Sequence, residues 1–380
     1  FGEKLGWERP NWFADLDAGE EPVDRYSYGR QNWFAAVGRE HRACRERVAL
    51  FDQTSFAKYL LVGNDAEAAL SWLCANDVAR PPGSLVYTQL LNHKGGIECD
   101  LTVARLAPDR FYIVTGTGFA THDLDWITRN LPAGLDARAL DVTSANAVLS
   151  LFGPRARDVL QALTPDALDS AAFPFGTCRE LRVAGAPVTA LRVTYVGELG
   201  WELYIPVEFA LTVYDALMTA GMPHGIANAG YRAIESLRLE KGYRAWGADI
   251  GPDHSPLVAG LGWAVKLKRD TPFSGREALI RQQAAPLPRL LAGFTAAPEI
   301  VLLGRETIFR DGQRVGWLTS GGFGYTIGRN IGYGYVRNPD GVDRAYVLAG
   351  RYELEVAGER VPAEVFLTPP YDPRSERVRQ

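Results

Sequence analysis

Two carboxylates in this chain stand on strands rather than in loops, where solubility alone does not call for them. Asp100 lies in GGIECDLTVARL, Gly95 to Leu106, and Glu202 in RVTYVGELGWELYIP, Arg192 to Pro206. Alternation along a strand sends Ile97, Cys99, Leu101 and Val103 to one face and Glu98, Asp100 and Thr102 to the other. The same rule puts Trp201, Leu203 and Ile205 together, opposite Glu202 and Tyr204. A polar strand face is ordinarily only solvated. The chemistry open to a carboxylate there is proton acceptance, or the offsetting of a developing positive charge.

Other chemical candidates carry weaker signals. His93, at the tip of Asn92-His-Lys-Gly-Gly, has the type of a general base but the position of an exposed loop residue. Gly116-Thr-Gly118-Phe-Ala-Thr121 follows a strand and opens a helix, yet its third small position is Thr121 and no βαβ series surrounds it, so it matches a dinucleotide fingerprint poorly. Gly322, Gly324 and Gly328 also miss that spacing. Cys44, Cys74, Cys99 and Cys178 are scattered with no CxxC pair and no nearby His at ligand spacing, which indicates neither a disulfide framework nor a zinc site. Arg238 lies one turn from Ile234 and two from Tyr231, on a partly inward helix face. The plain alternative for it is a surface pair with Glu235.

The elements that must position these groups follow from pattern and punctuation. Asn92-His-Lys-Gly-Gly joins strands Leu85–Leu91 and Ile97–Leu106 into a hairpin. Earlier come a strap rich in tryptophan (residues 1–34), a helix over Trp33–Val48, a strand over Phe56–Val62 and a helix over Asp65–Cys74. A strand at Phe111–Thr115 and a helix at Phe119–Asn130 follow, then a strand Asn146–Phe152 running into a helix at Pro154. Strands Cys178–Val183 and Val188–Thr194 precede the Glu202 strand, and Glu208–Gly221 is an amphipathic helix. Asn228–Lys241 reads as a helix with Asn228 a candidate N-cap and Gly242 a C-terminal stop. Arg281–Arg289 reads as a linker, short strands separated by glycine follow, and Pro369–Gln380 reads as a tail.

At 380 residues, with 47% hydrophobic and 23% charged residues, the chain is long enough for two or three domains with substantial cores. Its 41 basic and 45 acidic residues give a net charge of −4, which supplies no overall footprint for nucleic acid or an anionic membrane. No apolar run approaches the roughly 18 residues of a membrane span, and no leader peptide pattern opens the chain. Reduced cysteines suit a cytoplasmic setting, or the mitochondrial matrix in a eukaryote. A chain that opens on Phe1 also leaves room for a longer parent polypeptide.

Four stretches together, GGIECDLTVARL, RVTYVGELGWELYIP, AIESLRLEKGYRAWGADI and GWLTSGGFGYTIGRNIGYGYV, resemble the glycine-cleavage T-protein (aminomethyltransferase) family in order and separation, over roughly Trp33 to Pro370. The opening GWERPNWF resembles the segment that joins the flavin half to the folate half in dimethylglycine and sarcosine dehydrogenases. The resemblance implies an α+β, three-lobed folate-binding fold with a C-terminal β-barrel-like domain. It divides the chain into a strap (1–34), a folate-binding unit (35–62 with 146–285), a second α+β unit carrying Asp100 (63–145), a barrel-like unit (286–370) and a tail (371–380). It makes Asp100 the catalytic carboxylate, with Thr102 beside it. Glu202 takes the pterin of tetrahydrofolate, whose amino group and ring N–H offer two parallel donors. Tyr195 and Tyr204 become walls or hydroxyl partners, and Arg238 an arginine of the folate-site helix. Trp246 joins the site at a position where members of the aminomethyltransferase type often have tyrosine.

The activity implied is one-carbon transfer, in which the methylene of an oxidised N-methyl amine, such as the iminium from dimethylglycine or sarcosine, is captured as 5,10-methylene-tetrahydrofolate. FAD enters only through a flavoprotein domain or subunit outside this chain. Three alternatives stay open: an aminomethyltransferase of a glycine-cleavage type of system, a demethylase of O- or S-methyl donors, and a folate-binding module without catalysis. Retention of Asp100 weighs against the last, and GWERPNWF favours an N-methyl amine.

Overall fold

The computed structural model describes residues 1–380, and its strands form three main sheets rather than one. The first has six strands in the order Cys178–Val183, Ala186–Leu191, Gly200–Pro206, Asn146–Phe152, Val48–Asp52 and Ile226–Ala229. Only the last two pair in parallel; the others are antiparallel. The second has five strands, Leu85–Leu91, Ile97–Ala107, Arg110–Thr115, Ala57–Val62 and Arg138–Asp141. A closed barrel of six strands occupies the C-terminal part, from Arg289–Ala296 to Glu359–Phe366. The fold is therefore the α+β arrangement with a terminal barrel expected from the sequence.

The alternation that singled out Asp100 is present. Ile97, Cys99, Leu101 and Val103 are each 3% exposed or less, whereas Glu98, Asp100 and Thr102 are only partly covered. Cys99, Leu101 and Val103 join Tyr59, Leu61, Phe111 and Ile127 in the core of the five-stranded sheet. The hairpin entering this strand needs its two glycines for different reasons. Gly95 has φ +82°, and a Cβ on Gly96 would lie 1.7 Å from the Pro252 carbonyl oxygen. That close approach docks the hairpin on residues 251–256, where the Ile97 amide also donates to His254 O.

The Glu202 strand is covered on both sides. Trp201, Leu203 and Ile205 enter the large core of the six-stranded sheet. Tyr204 enters a smaller cluster in which Ala104, Tyr112 and Val114 of the other sheet meet Val148, Cys178 and Leu191. The two sheets thus pack through the faces that carry Asp100 and Glu202.

Several elements differ from the sequence reading. The helix read over Trp33–Val48 ends at Glu46, because Val48–Asp52 is a buried strand. Asn228 is not a helix cap: it lies in the parallel strand Ile226–Ala229, its amide donates to Tyr214, and the helix Tyr231–Lys241 begins after Gly230. Gly242 is the expected left-handed stop, at φ +66°. The strand read as Val188–Thr194 stops at Leu191, since the Thr194 hydroxyl caps the amides of Val196 and Gly197 and turns the chain. Part of the expected linker is helical, Arg276–Gln283. Residues 57–62, read with the first unit, pair into the second sheet instead.

The final segment is not a loose tail. Tyr371 donates to Glu198, Lys241 Nζ donates to Asp372 at 2.7 and 3.2 Å, and Val378 is 2% exposed. Its only well-buried apolar side chain is Val378, too little periodicity to signal packing in the sequence.

Candidate functional site

Between the two sheets and the loop that follows the helix Tyr231–Lys241 lies a cavity of about 900 Å³. Asp100 and Thr102 reach it from one sheet and Glu202 from the other. Tyr195 and Trp246 contribute walls, and Ser375, Val378 and Arg379 of the last segment line it as well. The volume suits a cofactor-sized organic ligand.

Asp100 is held from the neighbouring strand. Gln89 is its cross-strand partner, and the Gln89 amide nitrogen donates to Asp100 Oδ1 at 2.9 Å. Burial pushes the Asp100 carboxyl up to about 6, while the Gln89 amide and the Tyr87 phenol pull it back down. Asp123 raises it further and Arg244 lowers it. A carboxylate poised there is a working proton acceptor at neutral pH.

Glu202 has a different environment. Its one side-chain donor is the Tyr204 hydroxyl, 2.8 Å from Oε2, and no cation pairs with it. Burial pushes its carboxyl up to about 7, partly countered by that hydroxyl. Glu202 is 8% exposed, and its carboxylate opens on the cavity with acceptor capacity to spare.

The remaining residues anticipated for the site fall into two groups. Tyr195 and Trp246 line the cavity and are themselves fixed: Tyr195 donates to Arg244 O at 2.9 Å, and Trp246 Nε1 donates to Ile97 O at 3.1 Å. Trp246 also packs edge-on against Phe119. Tyr204 and Arg238 are not among the lining residues. Tyr204 stands behind Glu202, in a T-shaped contact with Tyr112. Arg238 is 1% exposed and donates to Asp249 at 2.8 Å, to Tyr243 O at 3.1 Å and to Glu235 at 3.0 Å. Asp249 in turn accepts from Thr319, Ser320 and the Ala245 amide. Arg238 therefore clamps the barrel and the cavity loop 243–246 to its helix, and the surface pair with Glu235 is only the outer end of that network.

Sequence reasoning missed Tyr87, Gln89 and Trp263. Tyr87 and Gln89 alternate on Leu85–Leu91 as Thr102 and Asp100 do on the partner strand, so register would have found them once the hairpin was drawn. Trp263, 64% exposed, stacks on Tyr87 at 5.7 Å at the cavity wall, and nothing in its local sequence sets it apart. His93 is exposed and outside the cavity. Cys99, His122 and Asp123 come together on the opposite sheet face, where Asp123 accepts from Thr115 at 2.6 Å and pairs with His122 at 2.9 Å.

Residues 1–269 match the GCVT N-terminal domain, and residues 289–372 the glycine cleavage T-protein C-terminal barrel domain. The chain belongs to the glycine-cleavage T-protein family. It is 42% identical to human mitochondrial sarcosine dehydrogenase and 38% identical to human mitochondrial dimethylglycine dehydrogenase, alignments that cover 100% and 97% of this chain. It spans only 45% and 42% of those proteins, under half of their length. An aminomethyltransferase of Desulforamulus reducens is 32% identical over 87% of this chain and 90% of its own. The crystal structure of the glycine cleavage system aminomethyltransferase T of Bartonella henselae superposes with a TM-score of 0.78 at 27% identity, covering 91% of this chain and 93% of that one. No helix is long and apolar enough to cross a membrane.

Proposed function

We propose that this chain captures a one-carbon unit on tetrahydrofolate, taking the methylene of an oxidised N-methyl amine of the sarcosine or dimethylglycine kind and yielding 5,10-methylene-tetrahydrofolate. The observation that carries the reading is the pairing, in one cavity, of two carboxylates with unlike surroundings, Asp100 held by amide and phenol donors and Glu202 short of donors. The fit to tetrahydrofolate rests on the same chemistry. Glu202 has spare acceptor capacity for the pterin's amino group and adjacent ring N–H, which one carboxylate can accept together. Tyr195, Trp246, Tyr87 and Trp263 offer aromatic surface to the flat rings. Exposed Arg80, Lys266 and Arg379 line the cavity where an anionic tail can be met.

When bound, tetrahydrofolate would supply the two nitrogens that come to bridge the incoming carbon, and the amine that brought the carbon leaves, taking up the two protons those nitrogens shed. Asp100 accepts the first of these protons, can return it to the departing amine, and offsets the cationic charge of the iminium. Thr102 flanks Asp100 on the same strand face, and Arg238 keeps the loop 243–246 in place behind the ligand. Amine oxidation falls to a flavoprotein domain or subunit outside this chain, where FAD would reside. The higher identity to the two N-methyl amine dehydrogenases, over 100% and 97% of this chain, supports that donor class over a glycine-cleavage donor. The two named relatives are mitochondrial, which supports the same location should this chain be eukaryotic.

The test is direct. Calorimetry with tetrahydrofolate and no added metal should show one binding site per chain. A sarcosine-derived iminium generated in the same vessel should then give methylene-tetrahydrofolate faster than the spontaneous background. Failure to bind tetrahydrofolate refutes the reading.

A further inference from the structure

Gln89 is fully buried, yet only half of its amide has a protein partner. The amide nitrogen donates to Asp100 Oδ1 at 2.9 Å, while Oε1 is buried and has no hydrogen-bond partner. A leucine or methionine at this place on Leu85–Leu91 would leave no orphaned acceptor in the interior. Gln89 is itself 0% exposed, so solvent does not explain the polar side chain. What the amide does accomplish is to hold one oxygen of a carboxylate that lines the cavity. Register fixes the two residues directly opposite one another, so the contact is set by strand pairing and not by a flexible loop.

We propose that Gln89 is a positioning residue for Asp100. Its amide pins Oδ1 above the face of the sheet, leaves the rest of the carboxylate to the cavity, and favours the ionised form that can take a proton. This rests on the reading of Asp100 as the proton acceptor. Retaining an unpaired buried acceptor for the sake of one donor is consistent with a role exerted through Asp100, since a hydrogen bond to the charged form of a carboxylate lowers its proton affinity. Other groups act on the same carboxylate: the Tyr87 phenol from the same strand as Gln89, Arg244 and Tyr195 from the far wall, and Asp123 from behind the sheet. Gln89 is the one whose amide is both buried and committed to it.

The experiment compares Gln89→Leu and Gln89→Glu with the unmutated chain by two readouts. One is the carboxyl-carbon NMR titration of Asp100, assigned by its loss in Asp100→Asn. The other is the pH profile of single-turnover carbon transfer to tetrahydrofolate. Gln89→Leu should move the Asp100 titration up by about one pH unit, the size of one lost charge-favouring hydrogen bond. Transfer should fall about tenfold on the plateau, because the carboxylate is less well aimed, with tetrahydrofolate affinity changed less than about twofold. Gln89→Glu, nearly isosteric, sets a second carboxylate beside the first, so the pair should titrate in two steps, one of them higher still. Should the leucine variant fail to fold, the glutamate variant carries the same test. A merely structural Gln89 would change melting temperature and leave the Asp100 titration where it is, which overturns the proposal. If instead the Asp100 titration moves while the transfer profile does not, Gln89 does set Asp100, and it is the proton-acceptor reading of Asp100 that fails.

Discussion

Replacing Glu202 by glutamine should make the ligand-free protein more stable and its ligand binding worse, and the structure gives both magnitudes. Burial raises this carboxyl from 4.5 in the unfolded chain to about 7 in the folded one, with the Tyr204 hydroxyl as its only side-chain donor. A folded value above the unfolded one means that the neutral acid is tolerated and the carboxylate is not. The contribution to stability is therefore full below about pH 4.5 and lost as pH rises through about 7. The shift corresponds to at most about 3 kcal/mol, at 1.36 kcal/mol for each pH unit, and water entering the cavity reduces it. Glutamine keeps the shape and carries no charge. Thermal melts of the ligand-free pair should coincide near pH 4.5 and separate as pH rises to 8, with the glutamine variant melting higher. Tetrahydrofolate should bind the variant about 1–3 kcal/mol more weakly, because an amide nitrogen then faces ring N–H donors. Near pH 7 the unmutated protein should also release a fraction of a proton on binding, as the ligand's donors drive Glu202 to its ionised form. Calorimetry in two buffers of different ionisation enthalpy measures that release, and the variant should show none from this group. A variant that melts lower than the unmutated protein at pH 8, with unchanged affinity, would refute the reasoning.

Other perturbations test the supports of the site. Glu240 accepts from buried Arg45 at 3.0 Å and from the Thr326 amide at 2.7 Å, while Glu198 also pairs with Arg45 at 3.1 Å, so Glu240→Gln should cost about 1.5–3 kcal/mol in unfolding, the loss of charge-assisted hydrogen bonds with one counter-charge kept. Gly96→Ala forces a Cβ into the Pro252 carbonyl, and the hairpin must shift; a loss of about 2–4 kcal/mol is expected, together with weaker tetrahydrofolate binding. Trp263 is 64% exposed at the cavity wall and stacked on Tyr87, so its fluorescence should change on titration with tetrahydrofolate, and Trp263→Phe should abolish that part of the signal.

The sequence made some of this visible and hid the rest for physical reasons. Strand alternation put Asp100 and Glu202 on the faces opposite the core runs Ile97 to Val103 and Trp201 to Ile205, and the family resemblance, not the period, gave them their roles. An all-β C-terminal unit was visible through its glycine-separated strands, and the family resemblance implied that it is barrel-like. Val48–Asp52 went unread as a strand, its first residue taken into the preceding helix, because four successive buried residues show no period of two. Ile226–Ala229 is a short parallel strand whose asparagine imitates a helix cap. Arg238 was read as a ligand-site arginine, but its counter-charge, Asp249, lies 11 residues on and reaches it only in the fold. Gln89 and Tyr87 depend on hairpin register, and the last segment, which reaches the cavity through Ser375, Val378 and Arg379, carries too few apolar residues to declare itself.

The central claim is that Asp100 serves carbon transfer more than binding, and Asp100→Asn measures it most directly. Asparagine keeps the size of the side chain and cannot accept the proton. Tetrahydrofolate affinity by calorimetry should change little, while single-turnover formation of methylene-tetrahydrofolate from an iminium, or from formaldehyde with a secondary amine, should fall roughly 10²–10⁴-fold, the range for a lost general base. The spontaneous condensation of formaldehyde with tetrahydrofolate is subtracted. An Asp100→Asn variant that transfers carbon as fast as the unmutated chain would contradict the account and make the protein a holder of folate rather than a catalyst.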